Sequence, residues 1–363
     1  MGQHPFPQSV IVVTMKPLTI AFFSKQLPSE SPNGVSCQVH RLANALQDRG
    51  HQVTCFSLSP PPDDARYRTH QLTCGTPSRL LRKFVPALRF RNIAADGFDI
   101  VHYHGDDYLC RGSLRRVRTF YGSALDESLH ARKLSRALYQ ALFYGFEWIS
   151  CLRRGATIGI SAATRRALPL VQTVIPCGVP LRTYRPQGSR DGAPSVLFLG
   201  DLRGRKKGDL LVRTFAQRIR TALPEARLTI VGPQPCNAPG VHWVGRLSEP
   251  ELIAAYRRAW VYCMPSSYEG FGVPAIEAMA CGTPVVSVIN KSTSEIITNE
   301  VNGLLCRADE LGEALLRVLG DGDLRERLAA QALRDVQKYG IDETARSYEA
   351  VYATAVEKIC TGN

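Results

Sequence analysis

The segment EGFGVPAIEAMACGTPVV, from Glu269 to Val286, combines carboxylates, glycines and a helix start at spacings that could bind a ligand. A strand-like apolar run leads into it, and Pro274 stands where a helix would have its first residue. Gly270 and Gly272 lie just before that helix and leave backbone amides open to a ligand. The helix dipole adds partial positive charge at the same point. The pattern predicts an anion site, with a diphosphate as the best-fitting anion.

Two carboxylates flank this anion site. Glu269 lies in the loop, and Glu277 lies further along the helix, where the backward tilt of helical side chains aims it at the same mouth. Because carboxylates repel phosphate, their expected partners are neutral hydroxyl groups of sugars on either side of it. A diphosphate between two sugars describes a nucleotide-sugar. The alternative is an ordinary amphipathic helix with solvated glutamates.

At these residues the chain resembles the retaining glycosyltransferases of family 4, which have the GT-B fold and a signature with two glutamates eight positions apart. The resemblance implies that Glu269 contacts hydroxyls of the donor sugar and that Glu277 holds the ribose. It also implies that backbone amides at the helix start bind the sugar and the diphosphate, namely those of Gly270, Phe271, Gly272 and Val273.

A second resemblance concerns FLGDLRGRKKGDLL, where the family has an arginine and a lysine that grip the donor phosphates. Lys207 takes the place of the lysine. The residue after Gly200 is Asp201 instead of the arginine, so Arg203 or Arg205 must replace it, and Arg203 is favoured. The alternative is a solvated basic loop.

On the acceptor side, Tyr121 stands where the family has a histidine near the reacting sugar. Tyrosine can donate a hydrogen bond but shuttles protons poorly at neutral pH. The resemblance therefore implies a front-side reaction in which the leaving phosphate takes the acceptor proton. Gly34 is expected to let the donor and the acceptor approach the backbone. His102 and His104 are expected to be structural rather than catalytic.

No cofactor besides the nucleotide-sugar is expected. Asp106 and Asp107 are two adjacent carboxylates, too few for a dedicated divalent metal site. A basic grip on the diphosphate would make a metal unnecessary. The eleven cysteines contain no C-x-x-C pair, so neither a disulfide framework nor a zinc site is predicted.

Short apolar strands alternate with helical segments twice along the chain, which predicts an α/β fold with parallel sheets. With 363 residues the chain is long for one core. The expected GT-B fold has two doubly wound, Rossmann-like domains facing across a cleft: residues 1–185 on the acceptor side, residues 186–344 for the donor, and a C-terminal helix, about 345–363, crossing back. Residues 60–69 are expected to form a surface loop, and translation could begin at Met15.

The positive charge is concentrated in the first half. Residues 1–180 carry 22 Lys and Arg against 11 Asp and Glu, which accounts for +11 of the net charge of +13. An anionic membrane surface, an acidic acceptor or a merely solvated face would each suit this charge; no nucleic-acid motif accompanies it. The basic residues form three clusters: Arg79, Arg82, Lys83, Arg89 and Arg91; Arg111, Arg115, Arg116 and Arg118; Arg132, Lys133 and Arg136.

The function expected from the sequence is hexosyl transfer from a nucleotide-sugar to a hydroxyl acceptor, in cell-envelope polysaccharide or glycolipid assembly. Glycosylation of a small secondary metabolite, epimerisation of a nucleotide-sugar and carbohydrate binding without catalysis are the alternatives. The chain has no apolar run of the ~18 residues that would span a bilayer and no secretory signal. A cytoplasmic location is therefore expected, with peripheral contact at the inner face of the membrane.

Overall fold

The structure is a computed structural model that describes residues 16–29, 33–73, 75, 83–131 and 133–361. The alternative start at Met15 lies outside the described residues. So do Arg79, Arg82 and Arg132 of the basic clusters.

The first sheet has seven parallel strands in the order β3-β2-β1-β4-β5-β6-β7. Its central strands are apolar on both faces because helices cover both sides, so Ile20 to Phe23 of β1 are fully buried. The strands are β1 Thr19–Phe23, β2 Gln52–Ser57, β3 Arg68–Gln71, β4 Ile100–Tyr103, β5 Arg116–Phe120, β6 Ala156–Gly159 and β7 Thr173–Val174.

Among the described residues, five α-helices connect these strands. The first begins with a capping box, in which Asn33 and Ser36 each accept a hydrogen bond from the other's backbone N–H. The helices are α1 Gly34–Asp48, α2 Val85–Arg91, α3 Ala124–Leu129, α4 Leu134–Leu152 and α5 Ala162–Ala167.

The second sheet has six parallel strands in the order β10-β9-β8-β11-β12-β13. Its order repeats that of the first sheet, with a reversal between β8 and β11 where the chain crosses from one half to the other. The strands are β8 Ser195–Leu199, β9 Arg227–Val231, β10 Val241–Trp243, β11 Val261–Met264, β12 Val285–Val288 and β13 Leu304–Cys306.

The helices of the second half are α6 Gly208–Thr214, α7 Arg220–Ala222, α8 Glu249–Arg258, α9 Val273–Ala280, α10 Thr293–Ile296, α11 Leu311–Gly320, α12 Gly322–Asp335 and α13 Ile341–Thr361. A π-helical turn, Phe215–Ile219, joins α6 to α7, and a 3-10 turn, Val336–Tyr339, precedes α13. Helix α13 returns to the first sheet, where Tyr348 and Tyr352 are buried in the same core as Ile20 and Leu42.

The structure thus has the GT-B architecture that the sequence predicts, with two local differences. The loop expected at residues 60–69 ends in a strand, β3, because Arg68 and Thr69 pair with β2. Helix α9 begins at Val273, one residue before Pro274, because Gly272 in the left-handed region already serves as its N-cap. Pro274 therefore occupies the second helical position, where its missing N–H also costs no hydrogen bond.

Candidate donor and acceptor site

The sequence motifs meet at the carboxyl ends of β8 and β11. These two strands are neighbours at the point where the strand order of the second sheet reverses. In open α/β sheets ligands bind in the crevice outside such a reversal. The loop after β8 carries Gly200 and four basic residues, Arg203, Arg205, Lys206 and Lys207. The loop after β11 carries residues 269–272.

Glu269 is the centre of this arrangement. Its side chain is buried, and its two carboxylate oxygens are held by two cations of the β8 loop. Lys206 Nζ lies 2.7 Å from Oε1, and Arg205 Nη1 lies 2.8 Å from Oε2. These two ion pairs therefore join the loops after β8 and β11 at the predicted phosphate site.

Burial raises the pKa of Glu269, but the positive charges of Lys206 and Arg205 outweigh burial and hold the pKa below its ordinary value. Burial by itself would lower the pKa of Arg205. The nearby carboxylates of Glu269 and Glu127 outweigh burial, so the pKa of Arg205 lies above its ordinary value. Two cations, Arg205 and Lys206, therefore face two carboxylates, Glu269 and Glu127, and the start of α9 adds partial positive charge beside them.

The structure differs from the sequence interpretation in which basic residues reach this point. Arg203 is exposed, whereas Arg205 contacts Glu269, so the geometry does not favour the expected preference for Arg203. Lys207 occupies the left-handed N-cap position of α6, with φ 54°. Lys206 contacts Glu269 instead, and a Cβ on Gly200 would lie only 2.9 Å from Lys206 Cγ. The bare glycine backbone leaves space for the lysine stem.

The backbone at the start of α9 is shaped so that a ligand can approach it closely. Gly272 adopts φ 107°, which favours glycine, and places Val273 at the first helical position. Ser292 Oγ donates to the carbonyl of Glu269 at 2.6 Å and fixes the loop. The Phe271 ring is buried against Tyr339. This contact anchors the loop two residues before the first residue of α9.

Glu277 is buried on α9 but already has two partners. Arg41 of α1 places Nη1 2.8 Å from Oε1, and the Tyr256 hydroxyl donates to Oε2 at 3.1 Å. Arg41 also binds Glu249 at 2.9 Å and the Tyr184 hydroxyl at 2.8 Å. The carboxylate that the resemblance assigns to the ribose is therefore linked to the first sheet through Arg41.

Across the cleft, Tyr121 follows β5 and its hydroxyl lies 2.9 Å from His104 Nδ1. Burial raises the pKa of Tyr121 well above its ordinary value. Burial, with Arg118 nearby, lowers the pKa of His104 to about 3. Both groups are neutral at physiological pH. His104 Nε2 is buried without a hydrogen-bond partner among the described residues.

His102 and Asp107 have structural roles. Both ring nitrogens of His102 are engaged at 2.8 Å, by Tyr352 and Thr119. Asp107 is buried between Arg116 and Arg118, so these two arginines belong to the core instead of a basic surface. Within residues 16–29, 33–73, 75, 83–131 and 133–361 no group of three or more His, Cys, Asp or Glu residues could hold a metal ion.

Two family models match the chain in succession. The model described as Glycosyltransferase Family 4 matches residues 32–183, and the model described as Glycosyl transferases group 1 matches residues 182–335. Their junction falls between β7 and β8, where the two sheets are joined. The chain belongs to the family 4 glycosyltransferases.

The relatives of this glycosyltransferase include D-inositol 3-phosphate glycosyltransferase of Kribbella flavida, 31% identical over 224 residues; that match spans about half of each chain, 53%. Phosphatidyl-myo-inositol mannosyltransferase of Mycolicibacterium smegmatis is 26% identical over 89% of this chain and 90% of its own. Among solved structures, sucrose-phosphate synthase from Thermosynechococcus elongatus has a TM-score of 0.77 at 23% identity, covering 93% of this chain and 98% of its own, and shows the shared fold.

The two halves of the glycosyltransferase touch at the site. A Cβ on Gly270 would lie 2.8 Å from the Tyr121 carbonyl oxygen, and one on Gly122 would lie 2.9 Å from the Tyr268 hydroxyl. Glycine at both positions lets the loops after β5 and β11 meet. Gly34, by contrast, has nothing within 4 Å of such a Cβ, so the space around it does not require glycine.

Charged groups of the glycosyltransferase also pair across the cleft. Glu127 of α3 lies 3.6 Å from Arg205, and Asp126 lies 2.9 Å from Lys291. The sequence interpretation missed Arg41, which carries no motif, and passed over Lys206, for which the double lysine before Gly208 was an available signal.

Proposed function

We propose that this glycosyltransferase moves a hexosyl group from a nucleotide-diphosphate sugar to a hydroxyl of a lipid-linked acceptor, with retention of anomeric configuration. The observation that carries the proposal is the ion-pair cluster of the buried Glu269 with Arg205 and Lys206, in the loops beside the N-terminus of α9. Two cations and a helix start provide the positive charge that a leaving diphosphate needs. The whole-length similarity to an enzyme named for phosphatidyl-myo-inositol supports a glycolipid acceptor.

The donor is proposed to lie across the second sheet. Arg205 and Lys206 bind the two phosphates, the amides of residues 270–273 bind the diphosphate and sugar, and Glu277 holds the ribose. Glu269 then contacts hydroxyls of the transferred sugar. In the structure both Glu269 and Glu277 are already paired with cations, so donor binding would replace or share these ion pairs.

The acceptor hydroxyl is proposed to enter from the side of Tyr121. The bond from the anomeric carbon to the phosphate oxygen breaks, the bond to the acceptor oxygen forms on the same face, and the acceptor proton moves to that phosphate oxygen. The raised pKa of Tyr121 and the low pKa of His104 support this mechanism, because neither side chain is a strong base at neutral pH. Their polar atoms position sugar hydroxyls by hydrogen bonding.

The proposed reaction is tested with a panel of UDP- and GDP-sugars, with and without phosphatidylinositol-containing vesicles. We expect one donor to raise the melting temperature, since binding to the folded state stabilises it, and to label the lipid fraction. Proton NMR of the product should show the donor's anomeric configuration. Formation of an epimeric nucleotide-sugar would overturn the assignment, and binding without transfer or hydrolysis would indicate a carbohydrate-binding protein.

We further propose that transfer needs no divalent metal, because Arg205, Lys206 and the start of α9 supply the positive charge that a metal would otherwise provide. Incubation with EDTA should leave the transfer rate largely unchanged. Loss of activity that manganese or magnesium restores would contradict this, and would direct attention to Asp106, the carboxylate beside the arginine-bound Asp107.

A further inference from the structure

Helix α4 presents an apolar face that the rest of the described chain leaves uncovered. Only Ser150 and Cys151 of its 19 residues are buried. Leu134, Leu138, Leu142, Ile149 and Leu152 are between 43% and 76% exposed. At about 100° per residue these five side chains fall within an arc of about 80°. They form one continuous stripe, the α4 apolar face.

Exposed basic side chains lie at both ends of this face and on the segment beside it. Lys133 precedes the first turn of α4 and Arg154 follows its end, and both are exposed. Lys83, two residues before α2, places Nζ 3.6 Å from the centre of the Tyr139 ring of α4. Arg89 and Arg91 lie in the last turn of α2 and are exposed as well. The apolar stripe therefore lies within a basic rim.

The carboxylates of α3 and α4 do not offset this charge, because each has a partner. Glu147 is the acid within α4, and its carboxylate accepts the backbone N–H of Ala124 at 3.1 Å. Asp126 is buried and paired with Lys291, and Glu127 pairs with Arg136 and Arg205. The outward surface is thus apolar and positive.

Aromatic rings line the boundary between α2 and α4. Phe84 lies 6.0 Å from Phe143, centroid to centroid, and Tyr108 stacks on Phe146 at 4.4 Å. These rings are half-buried apart from the buried Tyr108. Aromatic side chains are enriched where a protein meets the headgroup region of a bilayer.

The α4 apolar face also has a defined relation to the cleft. Helix α3 begins directly after Tyr121, Gly122 and Ser123, and it packs against α4. Glu127 of α3 contacts Arg205 of the proposed donor site. A surface bound by α4 would therefore lie next to the acceptor side of the cleft.

We propose that the α4 apolar face docks into the interface of an anionic lipid bilayer, with α4 lying in the membrane plane. Within the described part of the chain no helix is long and apolar enough to cross a membrane. An amphipathic helix with a basic rim inserts its apolar face among the headgroups and is held by anionic lipids. A second copy of this chain fits less well, because the two basic rims would repel each other.

Docking brings the acceptor side of the cleft to the membrane surface, where a lipid-linked acceptor can enter without leaving the bilayer. This consequence rests on the proposed function. The docking does not, since it depends only on the apolar stripe and its rim.

Co-sedimentation with vesicles tests the docking. The full chain should bind phosphatidylcholine vesicles that contain phosphatidylglycerol, bind pure phosphatidylcholine vesicles more weakly, and dissociate as salt increases. The double variant Leu138→Glu, Leu142→Glu should bind at least about tenfold more weakly, since it places charge in the apolar stripe. The matched control is Leu170→Glu, Val301→Glu, two exposed apolar residues elsewhere, which should bind close to wild type.

Equal binding of all three proteins would overturn the proposal. So would a self-association measured by analytical ultracentrifugation that the α4 double variant abolishes, with no vesicle binding by the wild type. Unfolding curves and donor-induced melting shifts of the variants verify that the fold and the donor site are intact. Vesicle binding without sugar transfer from any donor would overturn the proposed function and leave the docking standing.

Discussion

At the scale of single residues, the site is organised by which cation reaches which carboxylate. Glu269 is buried and can exist there as an anion only because Arg205 and Lys206 hold both its oxygens. Arg205 also donates to the carbonyl of Tyr268 at 3.1 Å, in the loop that leads to α9. We therefore infer that Glu269 positions these two cations, and that they turn to the diphosphate when the donor binds.

The adjacent lysines give the sharpest residue-level prediction. Lys206→Ala should lower the transfer rate about 100-fold or more, because one contact to the developing charge on the leaving group is lost. Lys207→Ala, at the neighbouring helix-cap position, should have a much smaller effect. Steady-state kinetics on both variants with the same donor decides the matter. A large loss of transfer rate in Lys207→Ala alone would show that Lys207 binds the phosphates, as the family resemblance implies.

A second residue-level prediction separates the two glutamates. Glu277→Gln should raise KM for the donor about tenfold with little change in kcat, because ribose contacts are the same in the ground and transition states. Glu269→Gln should mainly lower kcat, since contacts near the anomeric carbon strengthen as charge develops. Glu225→Gln, an exposed control, should match wild type. The assigned roles fail if both site variants change only KM.

At the scale of elements, the helix pair α3 and α4 connects the site to the surface. Helix α3 carries Asp126 and Glu127 to the cleft, and α4 supports α3 through the contact between Glu147 and the N–H of Ala124. Burial raises the pKa of Glu147 to about 7, against opposing contributions from that N–H and from Arg118. The helix pair therefore contains a carboxyl group that titrates near neutrality.

This titration predicts how stability depends on pH. The folded state holds the Glu147 proton more tightly than the unfolded state, whose carboxyl has the ordinary value of 4.5. The contribution of Glu147 to stability is therefore complete below 4.5 and is lost as pH rises toward about 7. Glu147→Gln should be more stable than wild type at pH 8 by about 1 to 3 kcal/mol and similar at pH 4.5.

Urea unfolding at the two pH values measures this difference. Glu313→Gln, on the exposed face of α11, is the matched control and should follow wild type at both. An equal effect of Glu147→Gln at both pH values would show that the carboxyl does not titrate between them.

At the scale of the whole molecule, two sheets of the same topology meet through glycine contacts and ion pairs. Gly270 lies against Tyr121, Arg41 reaches Glu277, and Glu295 of α10 accepts the N–H groups of Ala162 and Ala163 at 2.8 and 2.7 Å. These contacts hold the two halves together beside the proposed donor site. We infer that donor entry loosens some of them, which would couple closure of the cleft to the catalytic geometry.

The coupling predicts the effect of a single methyl group. Gly270→Ala should push the two loops apart, because its Cβ would lie 2.8 Å from the Tyr121 carbonyl oxygen. We expect a more open cleft by small-angle X-ray scattering and a loss of transfer of about 100-fold, the cost of misplacing reacting groups by about 1 Å. Gly192→Ala, with nothing within 4 Å, is the control. An unchanged rate in Gly270→Ala would show that closure here does not limit transfer.

The sequence by itself determined the elements whose signals are local. Apolar runs predicted two sheets of parallel strands, but not β3, because its residues Arg68–Gln71 are mostly polar and exposed and it forms by pairing with β2. Glycine and proline spacing located the start of α9 to within one residue, since turn and cap geometry depends on the neighbouring residues alone. The signature from Glu269 to Val286 carried the resemblance to the family, which the two family models confirm.

Only the tertiary structure decided the contacts between distant segments. The choice of Lys206 over Lys207 depends on the bare backbone of Gly200, and the pairing of Arg41 with Glu277 depends on how the first sheet meets the second. The sequence placed Arg116 in a basic cluster, but the fold buries it against Asp107. Charges look alike in a sequence, and their partners are set by which chain segments become neighbours when the two cores form.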